Sequence, residues 1–253
     1  MQLFEILETW RKERQQLPLN KTLGFVPTMG NLHEGHCQLI ERSQRENDYT
    51  VVSLFVNPTQ FDRQEDFVNY PRTIEADLIV LKQQKIDYCL IPSIEVIYAD
   101  DYRYQVHEMA LSQEMEAKHR PGHFTGVLTV LIKLFNLVKP HRVYFGEKDY
   151  QQYCLVRDMV KAFFLDMEVV PFPVVREQSG LACSSRNNRL NAEQRLKAET
   201  FARIFHQKNK SKAELLEELD AHQIVVEYLE EYQSRRFIAI NVDDIRLIDN
   251  YPL

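Results

Sequence analysis

The sequence predicts an α/β fold, with a parallel sheet in the first part of the chain and a smaller α+β domain at its end. Three observations support that class. Short apolar runs alternate with segments of helical period, polar clusters stand where those runs end, and the alternation stops after Val175, where residues 176–191 form a polar, glycine-containing loop. Alternation of this kind favours right-handed βαβ units, hence a sheet covered on both faces that binds ligands at the carboxyl ends of its strands.

In chain order, an amphipathic pattern predicts a helix over 3–15, and the apolar run 22–28 a short buried strand. Further strands are expected at 49–56, 87–91, 142–145 and 169–175, with helical patterns from Cys37 onward and at 73–84, 124–138 and 150–164. Helices over 192–207 and 211–219 then precede two strand-like runs, 237–242 and 245–248, suited to a hairpin. The stretch 224–232 reads equally as strand or helix. The expected division is a catalytic domain of residues 1–176 and a small C-terminal lid of 177–253.

At 253 residues and 44% hydrophobic content the chain can bury a substantial core. Its formal charge of −6 disfavours a general nucleic-acid binder, while leaving room for a local basic pocket that takes a nucleotide. No apolar run is long enough to span a bilayer, and residues 1–16 mix acidic and basic side chains, unlike a signal peptide. Four scattered cysteines (Cys37, Cys89, Cys154, Cys183) form no C-x-x-C pair and read as free thiols. The expectation is a soluble cytoplasmic protein with no membrane or nucleic-acid partner.

Four clusters carry chemistry. His33-Glu34-Gly35-His36 lies where a strand gives way to a helix, and its histidine spacing is not that of the zinc-protease H-E-x-x-H. Free N–H groups at a helix start favour phosphate, and two imidazoles add hydrogen bonds to phosphoryl oxygens. Asn57-Pro58-Thr59-Gln60 follows the next apolar run, and the Gln60 amide offers both donor and acceptor to a hydroxy acid. Gly146-Glu147-Lys148-Asp149 follows a third strand, with Lys148 as a charge for phosphate. Cys183-Ser184-Ser185-Arg186 adds hydroxyls and an arginine fork. Each alone also reads as an ordinary turn, cap or surface loop. Three of them at strand ends and the fourth at the domain junction are what a nucleotide pocket requires.

The strings Pro27-Thr28-Met29-Gly30-Asn31-Leu32-His33-Glu34-Gly35-His36, Phe55-Val56-Asn57-Pro58-Thr59-Gln60-Phe61, Tyr70-Pro71-Arg72-Thr73, Gly146-Glu147-Lys148-Asp149-Tyr150-Gln151-Gln152 and Ser184-Ser185-Arg186-Asn187 occur in order. Together with Arg246-Leu247-Ile248-Asp249-Asn250 they resemble the pantothenate synthetase (pantoate–β-alanine ligase) family of the nucleotidyltransferase superfamily. The resemblance implies a Rossmann-like domain and a two-step reaction. Pantoate and ATP give pantoyl-adenylate and pyrophosphate; β-alanine then displaces AMP to give pantothenate.

Magnesium would accompany ATP, and the family is expected to act as a homodimer through the first domain. By resemblance, the ATP site comprises Met29, Gly30, Asn31, Leu32, His33, Glu34, Gly35, His36, Gly146, Glu147, Lys148, Asp149, Val175, Cys183, Ser184, Ser185 and Arg186. The catalytic group is His33, His36, Lys148 and Arg186, with His36 as a donor. Gln60 and Gln152 would hold pantoate, and Gln60 would also meet β-alanine. Asn57, Tyr70 and Arg120 are further substrate-site candidates, and Asp77 a magnesium contact.

Two departures from the family pattern stand out: Cys183, where methionine or leucine is common, and a shortened second domain between Tyr228 and Phe237. The rivals are a different small-molecule nucleotidyltransferase and a non-catalytic nucleotide- or RNA-binding paralogue, whose basic segment would be 203–212.

Overall fold

In the computed structural model, which describes residues 1–253, the chain opens with strand β1 (Gln2–Phe4) where a helix was expected. Helix α1 (Leu7–Gln16) begins only afterwards. There follow β2 (Leu23–Thr28), α2 (Glu34–Glu46), β3 (Tyr49–Leu54), the short α3 (Gln64–Val68), α4 (Ile74–Gln83), β4 (Tyr88–Leu90) and the single turns α5 (Ile94–Ile97) and α6 (Glu116–His119). Next come α7 (His123–Val138), β5 (Arg142–Gly146), α8 (Tyr150–Ala162) and β6 (Glu168–Phe172). The misread start has a tertiary cause. Gln2 and Phe4 pair in parallel with Tyr88 and Leu90 of β4, an edge that no local pattern reveals.

The six strands form one sheet in the order β1-β4-β3-β2-β5-β6. The pairs β1–β4, β4–β3, β3–β2 and β2–β5 are parallel. From β2 the chain runs outward through β3 and β4, then returns to β5 on the other flank of β2. The order thus reverses between β2 and β5, and a crevice opens at such a switch point, outside the carboxyl ends of the strands. Those two strands lead into Met29 and into Glu147.

Both faces of this sheet are covered, which is why its strands read as unbroken apolar runs. Successive side chains on a strand point to opposite faces. Accordingly Phe25 and Val51 join one core cluster, with Trp10, Leu128, Leu131, Phe135 and Val156 of the helices α1, α7 and α8. Their neighbours Val26 and Val52 join another, with Leu39, Ile40 and Leu81 of α2 and α4.

The chain divides into two compact units. The larger consists of residues 1–32, 36–145 and 151–172; the smaller of 33–35, 146–150 and 173–253. The main division therefore falls after Phe172, ahead of the 176 expected. Arg176 explains the difference, since it bridges to Ala182 and its guanidinium grips both carboxylate oxygens of Asp249, at 2.7 and 2.9 Å.

The smaller unit packs α9 (Ala192–Phe205) and α10 (Lys212–Ala221) on an antiparallel sheet of β7 (Val225–Tyr232), β8 (Arg235–Val242) and β9 (Ile245–Pro252). Reciprocal capping boxes at Asn191/Gln194 and Ser211/Glu214 start the two helices. The ambiguous stretch 224–232 is a strand, because β8 offers it a partner from Val225↔Asn241 to Tyr232↔Arg235. The short segment between Tyr228 and Phe237 is this hairpin. Gln233 and Ser234 both take positive φ, 47° and 56°, as a tight turn matched to strand twist requires.

Candidate active site

The loop leaving β2 turns through Gly30 (φ 79°) and Asn31 (φ 51°). A Cβ at residue 30 would stand 2.9 Å from an oxygen of Asp77, so glycine meets two demands there, conformation and space. Asp77, on α4 and only 3% exposed, holds this loop with its carboxylate. Oδ2 accepts from the Asn31 N–H and the Thr73 hydroxyl, each at 3.0 Å, and Oδ1 accepts from the Leu32 N–H at 2.8 Å. A carboxylate buried among three donors is a poor host for magnesium, which keeps several of its waters. The geometry gives Asp77 a loop-holding role. It also commits the Asn31 and Leu32 N–H groups, so neither is left to bind phosphate.

His33 precedes α2, and His36 lies in its first turn, where the positive end of the helix dipole favours anions. The Nδ1 of His33 accepts the Gly35 N–H at 3.1 Å. Burial, with a further push from the Lys148 charge, lowers the His33 pKa from 6.5 to about 4, although Asp149 and Glu34 pull it up. The ring is therefore neutral near pH 7 and carries its proton on Nε2, as a donor. Gly35 makes this possible: a Cβ there would approach His33 Cε1 to 2.9 Å and Nδ1 to 3.0 Å.

After β3 a hydrogen-bond relay orients Gln60. Tyr98 Oη donates to Asn57 Oδ1 at 2.6 Å, and the Thr59 hydroxyl donates to the same oxygen at 3.0 Å. The orientation of the Asn57 amide is thereby fixed, its nitrogen donating to Gln60 Oε1 at 3.0 Å and to the Gly126 carbonyl at 3.2 Å. Gln60 in turn presents its Nε2, which stands 3.0 Å from Met29 Sδ. A Cβ on Gly126 would fall 2.3 Å from the Thr59 carbonyl oxygen, so α7 can lie this close only with glycine there.

Arg120 joins the group, reaching the Gln60 carbonyl at 3.4 Å and Asp62 at 3.4 Å, and His123 Nδ1 lies 2.8 Å from the same carbonyl. Tyr70 packs edge-on against Phe61 with ring centroids 5.5 Å apart. Of the paired glutamines on α8, Gln151 is buried and holds the backbone of Leu111, Glu114 and Glu116. Gln152 is half-buried, and its amide is not used in holding the fold.

In the smaller unit, the loop after β5 carries Lys148, whose side chain is 17% exposed and stands 3.8 Å from Asp149. The Cys183 N–H donates to the Val175 carbonyl at 2.9 Å, setting those two residues opposite each other. Burial, then Glu177 and Glu34, raise the Cys183 pKa and keep the thiol protonated. Ser184 caps the turn Ser185–Arg189 by accepting the Arg186 N–H at 3.3 Å. Arg189 and Arg195 are neutralised by Asp244 and Glu177, whereas Arg186 forms no ion pair within the protein.

Sequence reasoning placed these loops but missed the residues that hold them: Thr73 and Tyr98 in the larger unit, Arg235 and Arg176 in the smaller. Thr73, Arg176 and Arg235 each stand beside another polar residue in the sequence, so no local pattern marks them and only the fold shows what they meet. Arg235, for instance, is 9% exposed on a buried strand.

The family model described as pantoate-beta-alanine ligase matches residues 2–252. A pantothenate synthetase from Legionella pneumophila (strain Lens) is 58% identical over 253 residues, covering all of both chains. One from Coxiella burnetii (strain Dugway 5J108-111) is 48% identical over 250 residues, covering 99% of this chain and 96% of its own. Among solved structures, the pantoate-beta-alanine ligase of Francisella tularensis, complexed with beta-gamma ATP and beta-alanine, superposes with a TM-score of 0.96 at 36% identity, over 100% of this chain and 97% of the other. The pantothenate synthetase of Thermus thermophilus gives 0.89 at 38% identity, over 100% and 99%.

Proposed function

The chain belongs to the pantoate-beta-alanine ligase family, and on that premise we propose how its residues divide the work. The enzyme joins pantoate to β-alanine at the expense of ATP. In the first step a pantoate carboxylate oxygen attacks the α-phosphorus of ATP, and the bond to the β-phosphate breaks, releasing pyrophosphate. In the second, the amine of β-alanine attacks the acyl carbon and loses a proton, and the bond to the phosphate oxygen breaks to release AMP.

The observation that carries this division is the neutral His33 beside Lys148. An imidazole held as an Nε2–H donor and a lysine ammonium together match charge that develops on phosphoryl oxygens. His36 is the second donor, and Lys148 and Arg186 take the β- and γ-phosphates. ATP further contacts Met29, Gly30, Asn31, Leu32, Glu34, Gly35, Gly146, Glu147, Asp149, Val175, Cys183, Ser184 and Ser185, the loop of Asn31 and Leu32 through atoms other than their N–H groups.

Gln60, whose Oε1 is held by the Tyr98–Asn57 relay and whose Nε2 stands 3.0 Å from Met29 Sδ, donates to pantoate and meets β-alanine; Gln152 holds pantoate. Tyr70 and Arg120 border that end, as the ring packing and the Gln60 carbonyl contact support. Magnesium would accompany ATP and would supply neutralising charge at its phosphates, while Asp77, engaged by three donors, is not placed to hold it. No helix is long and apolar enough to cross a membrane, and four free cysteines suit a reducing cytoplasm, where the enzyme works as a homodimer.

The test is release of AMP and pyrophosphate from ATP and pantoate, with and without β-alanine. One burst of pyrophosphate per site without the amine, and steady AMP release only with it, is the expected result. AMP release indifferent to β-alanine would overturn the two-step reading.

A further inference from the structure

The tail motif Arg246-Leu247-Ile248-Asp249-Asn250 has no part in the chemistry described so far, yet two of its residues are among the most buried polar groups of the chain, Asp249 and Asn250 at 2% exposure each. Asn250 donates from one amide nitrogen to two successive backbone carbonyls, Glu147 at 2.9 Å and Lys148 at 2.8 Å. Its amide oxygen accepts from Arg235. The same guanidinium donates to the Glu147 carboxylate at 3.1 Å and lies 3.9 Å from the centroid of the Tyr150 ring. Phe237 packs on that ring from the same strand as Arg235, with centroids 6.1 Å apart. Behind them Asp249, gripped by Arg176, accepts the Asn250 N–H at 2.7 Å.

Every residue from Glu147 to Tyr150 except Asp149 is thus held by β8 or β9. Two carbonyls, a carboxylate and a ring face, fixed together, leave the Lys148 backbone little freedom, and a side chain is only as well placed as the backbone that bears it. The contacts from β8 and β9 run to the carbonyls and to the residues flanking Lys148, not to its ammonium, which stands 3.8 Å from Asp149.

We infer that Asn250 and Arg235 are positioning residues for Lys148, acting on the first half-reaction through the backbone of its loop. The inference rests on the reading of Lys148 as a phosphate ligand. Because both clamp residues act through one side chain, their effect on the rate depends on that side chain being present. A residue that merely supports the fold would slow the reaction by the same factor whether or not Lys148 is there.

The experiment is a double-mutant cycle on the full chain, with pyrophosphate release measured in a single turnover at saturating ATP and pantoate. The variants are Lys148→Ala, Asn250→Ala and the pair together, each with a melting curve. The expected result is a fall of about tenfold or more for Asn250→Ala in the wild-type background, and no more than about twofold in the Lys148→Ala background. Equal factors in both backgrounds, or a wild-type rate for Asn250→Ala, would overturn the inference while leaving the Lys148 reading intact. A wild-type rate for Lys148→Ala would instead overturn that reading and the inference with it. If Asn250→Ala does not fold, Arg235→Lys replaces it in the cycle. That variant keeps the charge but loses the fork joining Asn250 to Glu147 and the flat contact with Tyr150, and the same outcomes decide.

Discussion

Replacing Asp77 with asparagine should unlatch the loop that leads into His33. The carboxylate accepts three hydrogen bonds, from the N–H groups of Asn31 and Leu32 and from the Thr73 hydroxyl. Asparagine supplies a single acceptor oxygen, and whichever way its amide is turned, an NH2 faces one of the two backbone donors. That leaves one buried N–H unpaired, at about 1–3 kcal/mol, and weakens the surviving bonds from charge-assisted to neutral, by roughly 1 kcal/mol. The sum is about 3 kcal/mol, a large part of the roughly 5–15 kcal/mol that holds a domain together. Gly30 and Asn31, both at positive φ, would then relax. Single-turnover adenylation should fall by more than about tenfold, since misplacing reacting groups by about 1 Å can cost about a hundredfold. Urea unfolding gives the first quantity and quench-flow pyrophosphate release the second, each at several magnesium concentrations. An unfolding free energy within about 0.5 kcal/mol of wild type, the level of a typical surface substitution, would refute the latch. Recovery of activity as magnesium rises would instead mark Asp77 as a metal contact.

Other outcomes follow from the same geometry. The folded pKa of His33, about 4, lies below its ordinary 6.5, so between those values the unfolded chain binds a proton that the folded chain does not. Stability should therefore fall as pH drops from about 6.5 toward 4, and unfolding curves should show a shallower fall for His33→Asn. Tyr98→Phe removes the donor that orients Asn57, at about 1 kcal/mol, so the KM for pantoate or β-alanine should rise about fivefold while that for ATP is unchanged, as steady-state kinetics with each substrate varied would show. Gly35→Ala would drive a Cβ to 2.9 Å from the His33 ring, displacing it; quench-flow measurement should find adenylation slowed, with β-alanine attack on preformed adenylate spared. Gln152→Ala should weaken pantoate use while nucleotide binding by calorimetry survives, since that amide is not used in holding the fold.

The sequence by itself determined the elements and the order of the loops. Alternating periods are local properties, so β2, β3, β5 and the helices α2, α4, α7 and α8 were legible within a few residues, and the antiparallel pairing of the last two strands with them. The clusters at Met29–His36, Asn57–Gln60 and Gly146–Asp149 were legible because a turn after a strand is written in adjacent residues. Their resemblance to one family then implied a reaction. What the local pattern could not contain was decided by tertiary structure. Strand β1 exists through an edge 86 positions away in the pairing of Gln2 with Tyr88, and 224–232 became a strand only because β8 lies beside it. Asp77 reaches its loop across 46 residues, and Asn250 reaches the carbonyl of Lys148 across 102. A carboxylate or an amide in a sequence carries no mark of the donors it will meet. Whether it binds an ion, latches a loop or supports a lysine is set by which backbone groups the fold leaves unpaired beside it, since a buried N–H or carbonyl must find a partner.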